Sequence, residues 1–180
     1  PMILGSDGAR LSKRHGAVNV MSYRDEGFLP KALLNYIVRL GWSHGDQEVF
    51  SLEEMIDLFD LDNINKAPAS FNQEKLIWLN QSYIKNTDIS ELIQQLQWHI
   101  KQRSIDVNSG PRIEDVVESL RDRSKTLVEM ADGCVMFYQD FAAFDEKQAS
   151  KQFNSKSQVI IEILHSKLSN MTFFVRSFST

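Results

Sequence analysis

The chain has 180 residues, 20 Lys+Arg against 24 Asp+Glu and a formal net charge of −4, so it is not a globally basic binder of polyanions. With 42% hydrophobic and 24% charged residues it lies within the ordinary globular range, and its single cysteine, Cys134, excludes an internal disulfide and any multi-cysteine zinc site. No run approaches the ~20 apolar residues of a membrane span, so we expect no membrane association and a reducing, cytoplasmic setting.

Charge is informative only locally. Residues 1–85 carry 9 basic and 11 acidic side chains and residues 86–180 carry 11 and 13, so each half nets −2. Within them, residues 1–24 hold Arg10, Lys13, Arg14 and Arg24 against Asp7 alone, and residues 147–180 hold five basic residues against Glu162. Polyanion contact is therefore expected at patches.

In chain order, Pro1–Leu4 reads as the tail of a strand with nothing before it to pair with, and the absence of an initiator methionine suggests a piece of a longer chain. Pro30 suits a first helical position, Leu33, Leu34, Ile37 and Val38 form a stripe, and Gly41 suits the end of that helix. Ser51-Leu52-Glu53-Glu54 is a capping box ahead of Leu52, Met55, Ile56 and Phe59. Asn72 caps a helix through Lys75–Leu79, in which Trp78 is assigned to the core, and Asp88 caps one carrying Leu92, Leu96 and Ile100. Residues 104–111 form a connector, after which Ile113, Val116, Val117 and Leu120, then Val159, Ile160, Ile163 and Leu164, repeat helical spacing. Strand-like alternation is scarce. The expectation is a mainly α protein: a small irregular region over 1–85, then a helical bundle over 86–180.

The segment Gly5-Ser-Asp-Gly-Ala-Arg-Leu-Ser-Lys-Arg-His-Gly16 sets three glycines around a cluster with the Ser12 hydroxyl and three permanent cations, a set suited to polyphosphate. The P-loop spacing is absent, and a solvated basic turn is the plain alternative. His44, His99 and His165 are too scattered for a metal site and are assigned to surface or capping roles; Cys134 is expected to be a small buried hydrophobe, and Phe141, Phe144 and Phe153 to pack the later helices.

Arg10-Leu-Ser-Lys-Arg-His-Gly16 closely resembles the signature loop (Lys-Met-Ser-Lys-Ser type) of class I aminoacyl-tRNA synthetases in its glutamyl-tRNA synthetase form. The similarity continues through Leu33–Tyr36, Arg39–Asp46, Phe59–Leu61, Asn65–Ala69 and Lys75–Asn80. It is strong to about residue 85 and thereafter lies mainly in helix pattern. One departure is Arg10, where the family pattern usually has lysine or another residue: charge is kept, but a planar guanidinium replaces a compact ammonium.

The resemblance implies that residues 1–85 hold the signature loop and a stem-contact region. It further implies that 86–180 is a helical anticodon-binding domain, truncated at its C-terminal end. It implies a glutamate–tRNA ligase that activates L-glutamate with ATP and Mg2+ and then charges its tRNA, as a monomer. Lys13, Ser12 and Arg10 would be catalytic, with Lys13, Arg14 and His15 toward ATP, and Arg14, Lys66, Arg121, Arg123 and Lys125 toward tRNA. The nucleotide-binding domain of the family would lie before Pro1, so the 180 residues alone should be inactive and hold no cofactor. For Arg121, Arg123 and Lys125 the plain alternative is an exposed helix face answered by Asp122 and Glu118. Two rival readings remain: a stand-alone helical RNA-binding or interaction module, and a glutaminyl-tRNA synthetase relative, against which the helical pattern after residue 85 argues.

Overall fold

A computed structural model describes residues 1–5, 7–11, 19–140, 143 and 146–176, with side chains as far as residue 169. Among these residues the elements run β1 (Ile3–Leu4), α1 (Val20–Asp25), α2 (Pro30–Gly41), α3 (Leu52–Leu58), β2 (Ala69–Ser70), α4 (Gln73–Asn86), α5 (Ile89–Gln102), α6 (Ile113–Arg121), α7 (Leu127–Tyr138), α8 (Glu146–Gln152) and α9 (Ser155–Arg176). The protein is mainly α, as the spacing predicts.

The predicted caps form: Ser51, Asn72 and Asp88 each accept a backbone N–H of the helix that follows, and Ser51 with Glu54 completes the reciprocal capping box. Asn19 and Thr126 do the same for α1 and α7, which the sequence reading does not anticipate. Pro30 occupies the first position of α2, where its missing N–H costs nothing.

The first compact unit is Pro1–Gln139. Its main core joins Leu29 and Ala32 to Ile84, Leu92, Leu96, Ile100, Val116, Val117, Leu127, Met130 and Cys134. A second cluster sets Phe28, Leu33 and Tyr36 on Leu76 and Leu79, and a third gathers Trp42, Phe50 and Met55. The second unit, Asp140–Thr180, holds α8 and the 22-residue α9, on which Val159, Ile160, Ile163, Leu164 and Leu168 are exposed. No helix among the described residues is long and apolar enough to cross a membrane.

Several expectations are corrected. The Pro1–Leu4 tail does find a partner, downstream: Ile3 pairs in parallel with Ala69 and Leu4 with Ser70. Trp78 is half exposed, because the buried face of α4 is set by Leu76, Leu79, Asn80 and Ile84. On α2 and α3, Leu34, Ile37 and Ile56 face outward while Ala32, Leu33, Asn35, Tyr36 and Met55 turn in, and Phe59, just past the end of α3, is nearly half exposed. His99 is buried, and Phe153 keeps more than half of its surface exposed. Phe141 and Phe144 lie outside the described residues.

Candidate nucleotide and nucleic-acid interface

The basic segment is launched from the two-stranded β1–β2 pair. Leu4 bridges Arg10 in antiparallel fashion on one side and Ser70 on the other. The turn between Leu4 and Arg10 closes through Gly5 N–H to Ala9 O (2.8 Å) and Gly8 N–H to Gly5 O (3.0 Å), with Asp7 Oδ1 accepting Ala9 N–H at 3.0 Å. Gly8 sits at φ +76°, a left-handed conformation that glycine adopts without strain. This turn leaves Arg10 exposed beside an open pocket of about 440 Å³ lined by Pro1, Met2, Ile3, Arg10 and Leu11. Ser12, Lys13, Arg14 and His15 lie outside the described residues.

Lys66 belongs to the same neighbourhood. It is exposed in the loop that enters β2, which is tied down by Asn65 N–H to Gly41 O (2.8 Å), Asn65 Oδ1 to Ala67 N–H (2.9 Å) and Ala69 N–H to Met2 O (2.9 Å). Strand pairing thus sets the Lys66 loop alongside the chain that leads into the signature segment.

The remaining candidates occupy a second surface, the corner between α6 and α7. Arg123 and Lys125 are exposed there. Arg121 is placed differently: its guanidinium donates to Thr87 O and Ile84 O at the end of α4 and pairs with Glu118 at 2.9 Å, leaving the side chain 17% exposed. It caps carbonyls that the helix end would otherwise leave open.

Three buried positions, Asn80, Asn35 and Gly27, escape the sequence reading. Asn80 is fully buried: its Oδ1 accepts Leu29 N–H (2.8 Å), and its Nδ2 donates to Gly27 O (3.3 Å) and Lys125 O (2.7 Å). Asn35, also buried, donates to Glu48 O (3.1 Å) and accepts from Phe50 N–H (2.8 Å) and the Tyr83 hydroxyl (2.9 Å). Burial pushes that hydroxyl's pKa up to about 12. Gly27, at φ +86°, lies so close to α7 that an added Cβ would meet Val128 N at 2.5 Å. Asparagine and glycine in an apolar run were the available signal, since each needs a partner or a close approach to justify its place.

Arg24 stacks its guanidinium 4.4 Å above the Trp98 ring. Next to it His99 is pushed below the usual imidazole range by burial and by the Arg103 charge, with Asp25 opposing. Burial raises the Cys134 thiol to about 11, which removes it from thiolate chemistry at neutral pH. Among the described residues no group of three or more His, Cys, Asp or Glu side chains could hold a metal ion.

Residues 1–78 match the model for tRNA synthetases class I (E and Q), catalytic domain, and residues 91–177 match an anticodon-binding domain. Part of a class I tRNA synthetase catalytic domain is joined here to an anticodon-binding domain. The chain is 59% identical over 157 residues to the glutamate–tRNA ligases of Ruthia magnifica and Vesicomyosocius okutanii, matching 87% of its own length and 35% and 34% of theirs. It spans about a third of the length of these curated relatives. Among solved structures, the glutamate–tRNA ligase of Elizabethkingia meningosepticum in complex with its amino acid superposes with a TM-score of 0.75 at 26% identity, over 93% of this chain and 37% of that one. The synthetase of Elizabethkingia anophelis gives 0.68 at 27% identity, over 83% and 34%. Arg10 and Lys66 fall within the catalytic-domain match and Arg123 and Lys125 within the anticodon-binding match.

Proposed function

We propose that this chain is the portion of a glutamate–tRNA ligase that supplies the signature loop and two tRNA-contact surfaces. The observation that carries the reading is the junction itself: a basic loop launched from a two-strand anchor, in a synthetase segment continuous with anticodon-binding helices. Within the chain, residues 1–85 serve as signature-loop and stem-contact region and 86–180 as the anticodon-binding region. The ligase works in the cytoplasm as a monomer.

In the activation step a glutamate carboxylate attacks the α-phosphate of ATP and pyrophosphate leaves, so negative charge grows on the departing oxygens. A cation held there binds the transition state more tightly than the ground state. We assign that work to Lys13, with Ser12 and neighbouring amides shaping the loop, Arg10 at its entrance, and Arg14 or His15 facing nucleotide or acceptor stem. Lys66, Arg123 and Lys125 place tRNA through phosphate contacts, which position an RNA without reading it. Arg121 is assigned to the same surface, where its helix-capping bonds restrict it to contact through its exposed edge.

The test uses the 180-residue chain. It should show no ATP–pyrophosphate exchange by itself, yet bind glutamate tRNA more tightly than an unrelated tRNA in filter binding at two salt concentrations. Charge reversal at Arg123 and Lys125 should weaken binding and flatten its salt dependence. Measurable exchange by the isolated chain would overturn the claim that it depends on further sequence. Equal, fully salt-sensitive binding of both tRNAs would reduce the surface to nonspecific phosphate contact.

A further inference from the structure

We infer that Asn80 is a positioning residue, one that fixes the α6–α7 corner and its two exposed cations against α4. The inference rests on the tRNA reading only for the corner's purpose. Its geometry stands apart from that reading.

The corner turns its backbone inward and its charges outward. Lys125 O is captured by Asn80 Nδ2 at 2.7 Å and Asp122 O by Gln81 Nε2 at 3.4 Å, so two adjacent α4 side chains hold both ends of a four-residue stretch. From the other side Arg121 reaches back to Ile84 O and Thr87 O. Leu127 N–H, at the start of α7, donates to Gly27 O at 2.9 Å, and that same carbonyl accepts from Asn80. Inside the corner, Thr126 Oγ1 accepts from Glu129 N–H, and Glu129 Oε2 accepts from Lys125 N–H at 2.7 Å. With these groups engaged, Arg123 and Lys125 still expose their side chains.

Asparagine suits this place for a chemical reason. The site needs one acceptor, for Leu29 N–H, and two donor directions, for the Gly27 and Lys125 carbonyls, all within a fully buried volume. A primary carboxamide on a short stem supplies that set, whereas an aspartate supplies only acceptors and leucine supplies neither. Buried groups left unpaired there would cost more than the bonds contribute when made. The consequence is a joint of fixed angle: the 27–29 turn, α4 and the 122–125 corner share one amide, so the catalytic-domain segment and the basic corner hold one orientation.

The experiment uses the full 180-residue chain with spin labels at Glu74→Cys on α4 and Arg123→Cys at the corner; the native Cys134 thiol is buried and stays unlabelled. A single narrow label-to-label distance is expected. Asn80→Asp should lose it at neutral pH, because a carboxylate faces two carbonyls, and should regain it in part when acid protonates the new carboxyl and restores one donor. A role of filling space alone would give no such recovery, so a width indifferent to pH overturns the inference, as does an unchanged narrow distance. If Asn80→Asp does not fold, Arg121→Met and Gln81→Ala loosen the same corner and decide the matter: broadening supports the joint, and unchanged distances overturn it. These distances are read without RNA. Loss of the tRNA reading would instead show as binding insensitive to Arg123 and Lys125 reversal in a chain whose joint is intact.

Discussion

Gly27 is the position at which a single methyl group should matter most. It combines a left-handed φ of +86° with a Cβ direction aimed at backbone, Val128 N at 2.5 Å and Leu127 N at 2.8 Å, neither of which can swing aside like a side chain. Gly45 shares the left-handed conformation, at φ +53°, but an added Cβ there meets nothing within 4 Å. Gly45→Ala should therefore cost about 1 kcal/mol, the conformational term alone. Gly27→Ala should cost about 4 kcal/mol, since α7 must also move. Urea unfolding of the two variants separates the effects, and equal losses would mean that α7 yields without penalty.

At the scale of elements, α3 is the clearest case of local chemistry outweighing packing. It is seven residues long, and only Met55 on it is buried, so tertiary contacts contribute little to its formation. The capping box satisfies two N–H groups at its start, Ser51 Oγ accepting from Glu54 N–H at 3.1 Å and Glu54 Oε2 from Ser51 N–H at 2.7 Å. Ser51→Ala should cost about 1 kcal/mol. It should also raise hydrogen exchange in residues 52–58 more than elsewhere; uniform exchange would show that α3 is held by its neighbours instead.

The same scale shows how much was legible beforehand. Caps and helix starts were readable because their donors and acceptors lie within three or four residues of one another: Ser51 with Glu54, Asn72 with Lys75, Asp88 with Ser90. The resemblance of residues 10–80 to a synthetase segment was likewise readable from ordered blocks. Which apolar residues face inward was less so. Leu34 and Ile37 keep helical spacing yet face out, because the inward arc of α2 is shared with Asn35, whose buried amide periodicity counts as polar. Helix α7 was missed for a related reason: its apolar residues run almost continuously through Gly133 and show no stripe. The pairing of Ile3 with Ala69 could not be seen either, as two-residue strands 66 positions apart carry no pattern.

For the whole molecule, acid should act in two stages. His99 is nearly inaccessible, and burial and the Arg103 charge lower its pKa from the usual 6.5, with Arg24 adding to them and Asp25 opposing. The unfolded chain therefore binds more protons than the folded one as pH falls below 6.5, and stability that is fully present above that value declines. Glu48 follows at lower pH. Burial pushes its carboxyl up, but hydrogen bonds and charges from Arg39 and Lys75 outweigh that and leave it below 4.5, so its contribution is lost as pH falls from 4.5 through the folded value. Urea midpoints measured from pH 7.5 to 4 should fall in both legs. His99→Gln should flatten the upper leg and leave the lower one, and a midpoint independent of pH between 6.5 and 5 would contradict this account.

Leu29 and Ala32 lie near the start of the chain, yet they share a core with Val117, Leu127 and Met130 rather than with their own sequence neighbours Phe28 and Leu33, which pack on Leu76 and Leu79. Adjacent residues of one turn thus answer to different halves of the molecule. A change of side-chain volume in α6 or α7 is therefore felt at positions 29 and 32, so these helices and the turn at 27–32 form one packing unit from which neither can be exchanged alone.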